Sequence, residues 1–395
     1  MNRPLNCLAL CLTLCSTAQA RSPSDAPRLP APQGRVIRVD DVEQLYRAVA
    51  AIKSGTTIVL RKGEYRLHRP IHFAGQGLKQ IALRGETGRS DDVVVRGAGM
   101  NNLAVHHGVL ANAVDGLLVA DMTIGWVGYH PIAVQPKCRR VHIRNCRLVD
   151  AGEQFIKASS GGDGTGVDNG IVEYCTLEYT KTGPPNGYTN GVDVHGGDHW
   201  IIRDNLFRNI RTPPGAKYKH VPAVLMWNGA SDTICENNTF VNCDRAIAFG
   251  LVKKEKFPDH RGGVIRNNFI YVDKGAVPHA DVGIFVVSPG AKVLHNTILL
   301  NGSYPNAIET RWAATKNVVV HNNLTDARIT PREQSQVHLN GNVTNASGSM
   351  FQSPRDGDLH ARGAPPRAAT HPDCKLDWDG KPRGRQRTTV GADEP

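Results

Sequence analysis

The chain has 395 residues, with 47 Lys and Arg against 36 Asp and Glu and a formal net charge of +11. That length buries a core as one large domain or several ordinary ones. Beyond the first residues no stretch approaches the ~20 consecutive apolar residues of a membrane span, so no transmembrane segment is expected.

Residues 1–20 read as a secretory leader: Arg3 supplies the basic start, 8–14 is a short apolar run, and Ala18-Gln19-Ala20 is a small-residue cleavage site. The mature chain is then exported, periplasmic or extracellular, and carries +10 once Arg3 has left. Outside a cell a basic surface suits an anionic polysaccharide better than nucleic acid, the alternative being charge that serves solubility alone. Six cysteines remain in the mature chain: Cys138, Cys146, Cys175, Cys235, Cys243 and Cys374. An oxidising compartment permits disulfides, but the sequence leaves their pairing open, and no Cys or His spacing matches a structural zinc site.

Residues 21–35 read as a disordered linker. Residues 42–52 then have helical spacing and precede GTTIVLRKGEY (55–65). From there one short pattern recurs: HIRNCRL (142–148), IVEYCTL (171–177), IIRDNLF (201–207), ICENNTF (234–240), VIRNNFI (264–270), VLHNTIL (293–299) and VVHNNLT (319–325). Aligned, they place Cys146, Cys175, Asn205, Asn238, Asn268, Thr297 and Asn323 in one column, at steps of 29, 30, 33, 30, 29 and 26 residues. Units this short and regular, rich in Val and Ile without a helical period, are the coils of an all-β solenoid, a parallel β-helix over 36–350. The helix before them covers the open end, and 351–395 is a tail that packs on the solenoid or caps it. Asn at a tight bend tolerates unusual backbone angles, and stacked amides can bond from coil to coil.

A second strand column runs beside the first: FIKAS (155–159), GVDVH (191–195), AVLMW (223–227), AIAFG (246–250), GIFVV (283–287) and AIETR (307–311). Period-two alternation turns Lys157 and Ser159, Asp193 and His195, Leu225 and Trp227, Phe285 and Val287, and Glu309 and Arg311 outward. Long insertions at 160–169, 180–190, 208–222, 251–263 and 272–281 flank this face and mark it as the binding face.

The helix, the TIVLRKGEY strand, the paired Asn residues and the terminal VGADE (390–394) resemble the pectate-lyase-like superfamily of right-handed parallel β-helix proteins, over roughly residues 36–345. The resemblance implies that fold and a bias toward polysaccharide lyases, hydrolases and epimerases. It transfers no catalytic set, because no arginine motif or calcium-binding aspartate pattern of pectate lyases matches residue by residue.

Strands on neighbouring coils lie about 4.8 Å apart, so Lys157 can touch Asp193 and His195. The three form a candidate acid–base cluster, or a solvated polar set. Asp193 and Glu309 are four coils apart, roughly 19 Å, too far for the about 5 to 9.5 Å of paired-carboxylate hydrolysis. His220 on the neighbouring insertion joins the catalytic candidates. Lys217, Tyr218, Lys219, Trp227, His260, Arg261, Glu309 and Arg311 are substrate-binding candidates, each with an ordinary surface role as the alternative. The GGDGTGVD loop (161–168) reads as a turn, with calcium as its alternative. The expected activity is a lyase acting on a uronate-containing polymer as a monomer. A glycoside hydrolase, a C5-epimerase and a non-catalytic glycan-binding protein stand beside it.

Overall fold

The structure, a computed structural model, describes residues 26–395; the expected leader and residues 21–25 of the expected linker lie outside that range. Residues 26–34 carry no helix or strand, yet they are held on the sheet, where Arg84 donates to the carbonyl of Pro30 at 2.8 Å and Arg144 to that of Pro27. The helix Val42–Ala50 follows the first strand, Arg35–Val39. It is started by Asp41, whose side chain accepts from the Gln44 amide, and it buries Leu45, Tyr46, Ala48 and Val49 against the first coils. No helix among the described residues is long and apolar enough to cross a membrane.

The body is a right-handed parallel β-helix. Strands His142–Ala151, Ile171–Glu173, Ile201–Arg203, Ile234–Glu236, Val264–Arg266, Lys292–Leu294, Val318–His321 and Val337–Asn340 pair in parallel from coil to coil. The second column is equally in register: Ile156 pairs with Val192, Val192 with Val224, Val224 with Ile247, Ile247 with Ile284, and Ile284 with Ile308. These six side chains are fully enclosed, and with Val194, Met226, Phe249 and Val286 they make the interior of the solenoid.

At the bend after the first column a ladder of buried amides joins the coils. Asn205 Nδ2 donates to Asn238 Oδ1 at 2.9 Å, Asn238 to Asn268 at 3.0 Å, Asn268 to Asn296 at 2.9 Å, Asn296 to Asn323 at 2.9 Å and Asn323 to Asn342 at 2.9 Å. The expected column is corrected in one place: Asn296, not Thr297, occupies the ladder, because Lys292 rather than Val293 pairs with Val264. The unusual backbone angle also sits one residue earlier than expected. Asn145, Tyr174, Asp204, Asn237, Asn267, His295 and Asn322 are the left-handed residues, each just before its ladder position. Cys146 and Cys175 continue the column, the Cys146 amide donating to the Cys175 sulfur at 3.4 Å, and all six described cysteines are buried and unpaired.

The tail packs along the flank of the solenoid. Phe351, Leu359, Trp378, Val390 and Ala392 close over Val241, Phe269, Tyr271, Leu299 and Leu324. His360 pins it, with Nδ1 at 2.6 Å from Asp358 and Nε2 at 3.3 Å from Asp379. Burial alone would lower the imidazole; the two carboxylates outweigh it and raise it to about 10.

Two outcomes follow. Asn238→Ala strands the amide and side-chain donors of Asn205, and it lowers the unfolding free energy by about 3 kcal/mol in urea denaturation, against less than about 0.5 for Lys181→Ala on the surface. The His360 contribution is fully present below its unfolded value near 6.5 and is lost as pH rises through about 10. Tail protection in hydrogen exchange, once corrected for intrinsic rates, therefore weakens across that window in the native chain, and His360→Gln flattens the dependence.

Candidate active site

Register places Lys157, Asp193 and Leu225 side by side on the outward face of the second column, with His195 beside Trp227. Lys157 Nζ lies 2.5 Å from Asp193 Oδ2 and 2.6 Å from His195 Nε2, and His195 Nε2 is 3.4 Å from Asp193 Oδ1. Asp193 is 0 % exposed. Trp227 Nε1 donates to its Oδ1 at 2.9 Å and Gln154 Nε2 to its Oδ2 at 3.3 Å. Burial would push this carboxyl up, but the bonds from His195 and Lys157 prevail and hold it below the usual carboxylate range. Lys157 and His195, with 16 % and 22 % of their side chains exposed, are the solvent-facing members.

Turns and insertions complete the site with residues that have no place in the repeat. Asn228, left-handed at φ 56°, brings Nδ2 to 3.1 Å from His195 Nδ1, while its Oδ1 accepts from Lys254 Nζ at 3.0 Å. The Tyr188 phenol lies beside Gln154, and its ring packs 5.0 Å from that of Tyr218; burial and then the charge of Asp193 raise the phenol and keep it protonated. Glu153, half-buried, is also raised by burial. On the preceding coils His130 donates from Nδ1 to the Gln154 carbonyl at 3.0 Å and stacks on His107 at 5.0 Å. Burial lowers His130 to about 4 and His107 to about 3, so both are neutral at neutral pH. Tyr188, Glu153, Gln154, Asn228 and Lys254 were missed from sequence because loops and turns carry no periodic signal; His107 and His130 show only as a cluster of histidines.

The other expected residues divide. Trp227 is at the cluster, its ring edge-on to His195 at 4.8 Å. Tyr218 reaches it through Tyr188 and is 47 % exposed; Lys217, 5.3 Å over the Tyr218 ring, and Lys219 are exposed on the same insertion. His220 turns elsewhere: its Nδ1 donates to the His279 carbonyl at 3.0 Å, which ties two insertions together. His260 is corrected. It is fully buried between Thr233 at 3.1 Å and Ser288 at 2.8 Å, packs on Phe249, and burial lowers it to about 3, so it is a structural residue out of reach of a polymer. Arg261, next to it on the same two-residue strand, is exposed. Glu309 is likewise enclosed, accepting from Asn306 at 2.6 Å and from Arg332 at 3.1 Å, which removes it from substrate contact. Arg311 forms a two-pronged pair with Glu333, one prong at 2.7 Å, the bland alternative of the sequence reading. Leu225 and Phe285 are covered, Phe285 lying under Arg245 at 4.4 Å. In the 161–168 loop Asp163 closes its own turn on Thr165 at 2.7 Å. Among the described residues the one group of three metal-capable side chains is His360, Asp379 and Asp393 in the tail, and both ring nitrogens of His360 already face carboxylates.

No family model matches the chain, and no curated protein matches it in sequence. Solved structures do. An alginate lyase from Paenibacillus sp. str. FPU-7 superposes with a TM-score of 0.50 at 17% identity, covering 79% of this chain and 99% of that one. Pectate lyase Pel9A follows at 0.44 and 14%, covering 88% and 83%, and PfbA, a surface adhesin of Streptococcus pneumoniae, at 0.47 and 12%, covering 76% and 84%. At such identities the likeness concerns architecture. The chain has the pectate-lyase-like, single-stranded right-handed β-helix fold.

Proposed function

We propose that the protein is an exported polysaccharide lyase that cleaves a uronate-containing anionic polymer by β-elimination. A base takes the C5 proton, its electron pair forms the C4–C5 double bond, the C4–O4 bond breaks, and O4 leaves with a proton from an acid. The observation that carries this reading is the Lys157–His195 contact at the solvent-facing edge of an enclosed carboxylate.

Hydrogen-bond direction supports a division of roles. A lysine ammonium or amine donates to the Asn228 oxygen, so the Asn228 NH2 faces His195 Nδ1, which must accept. The imidazole hydrogen then belongs on Nε2, which faces Lys157 Nζ at 2.6 Å and Asp193 Oδ1 at 3.4 Å. The pair holds a single base, oriented by Asp193. Tyr188, kept protonated, is suited to be the acid, and the exposed Lys217 and Lys219 to neutralise carboxylates of the polymer. A hydrolase needs two free carboxyl groups about 5 to 9.5 Å apart, and Asp193 is neither free nor exposed.

The mature chain incubated with alginate, pectate and glycosaminoglycans should build up the ultraviolet absorbance of unsaturated ends on one of them, with kcat falling about 100-fold or more in Lys157→Ala and His195→Ala. Release of reducing ends without that absorbance sinks elimination. Independently of any substrate, 15N spectra of His195 should report the tautomer with its hydrogen on Nε2, and Asn228→Ala should erode that preference. A neutral ring with its hydrogen on Nδ1 in the native chain contradicts the assignment.

A further inference from the structure

The insertion 251–259 is rigid at its base and chemically distinct at its tip. Asp259, buried, accepts from the amides of Leu251 at 2.7 Å, Val252 at 3.0 Å and Asn228 at 3.0 Å, which closes the loop on the turn that holds His195. The tip carries Lys253, Lys254, Glu255, Lys256 and Phe257. Phe257 is 51 % exposed and leans toward Gly229, where an added Cβ would stand 3.6 Å from its ring. Across from the tip is Trp312, and between them lies a cleft of about 190 Å³ lined also by Val287 and Thr315. Its cations are three lysines; against them stand Glu255 and Asp259, the latter bonded to backbone amides and 3.9 Å from Lys254 Nζ.

We propose that this cleft is a subsite for an anionic sugar ring of the polymer, gripped between Phe257 and Trp312 with its carboxylate on Lys253 and Lys256, and coupled to His195 through Lys254 and Asn228. The inference rests on the lyase reading for the polymer's direction along the face, not for the chemistry of the cleft. Aromatic side chains on both sides suit the C–H faces of a pyranose, and lysines beside them select a carboxylated ring over a neutral one. Val287 stands on the strand column three coils beyond His195, about 14 Å away, a few sugar residues along one chain. Lys254 serves both places: it lines the cleft, and its Nζ bonds Asn228 Oδ1 at 3.0 Å. A carboxylate in the cleft competes for that ammonium, so filling the subsite is felt at the imidazole.

The test is calorimetric binding of hexamers of galacturonate, mannuronate and guluronate to the full chain carrying Lys157→Gln, which suppresses turnover. Adding Lys253→Ala with Lys256→Ala, or Trp312→Ala, should weaken the best hexamer about tenfold. High salt should abolish the lysine effect and spare the tryptophan effect. The same hexamer should shift the His195 15N resonances in the parent but not with Lys254→Ala. Unchanged affinities in these variants overturn the subsite, as does a parent that binds none of the hexamers or binds a neutral hexasaccharide as tightly. If affinities change as expected while the wild-type chain makes no unsaturated ends, the lyase reading fails and the subsite stands. If turnover appears while affinities stay equal, the subsite alone fails.

Discussion

The buried amide ladder is the constraint that turns distance along this chain into contact in space. From Asn238 to Asn342 each ladder Asn accepts from the backbone amide and side chain of the Asn one coil before it, so a slip of one coil past another would break several buried bonds at once. A slip of one residue would also exchange inward and outward faces, sending Val192 and Val194 to water and Asp193 into the interior. The contact between Lys157 and Asp193, 36 residues apart, is a consequence of that lock.

Much of this was legible because period-two alternation and a repeat of roughly 30 residues are both written directly in side-chain type. Ile156, Val192, Val224, Ile247, Ile284 and Ile308 announce one inward line, and the outward line beside it follows by parity. The misplacement of Thr297 marks where that logic fails: the step to Asn296 is 28 residues against 30 for the one before, and an Asn-Thr pair mimics the Asn-Asn of its neighbours. His260 fails for a different reason. It closes an insertion, where parity has no meaning, and a short bridge beside Ala230 turns its ring inward onto Phe249. Asn228, Tyr188 and Lys254 belong to turns and loops whose geometry depends on the coils beneath them, so no local pattern foretells them.

An ionised carboxylate at zero exposure is costly unless its bonds are complete. Asp193 meets that condition with Lys157, Trp227, Gln154 and His195 around its two oxygens. The same completeness makes it a poor nucleophile and a good fixed charge. Because Lys157, His195 and Trp227 ride on strands of a stacked sheet, their positions around it are set by the fold before any ligand arrives, as the proposed proton transfer would need.

The outward column changes character along the solenoid axis, and this limits where the proposed polymer could lie. At Lys157, Asp193 and His195 the sheet itself offers polar atoms to solvent. One coil on, Leu225 is already covered, and Ala248, Phe285 and Val287 continue the covered stretch beneath Leu251 and Trp312. Beyond it Glu309 and Arg311 are engaged with Arg332 and Glu333. On the proposed reading, a polymer at the cluster cannot follow the sheet floor in that direction; it would have to climb over the covered section and meet the insertions that roof it. Of these, the 251–259 loop is tied by Asp259 to the turn bearing Asn228, so the proposed subsite and the cluster at His195 share one hydrogen-bonded support.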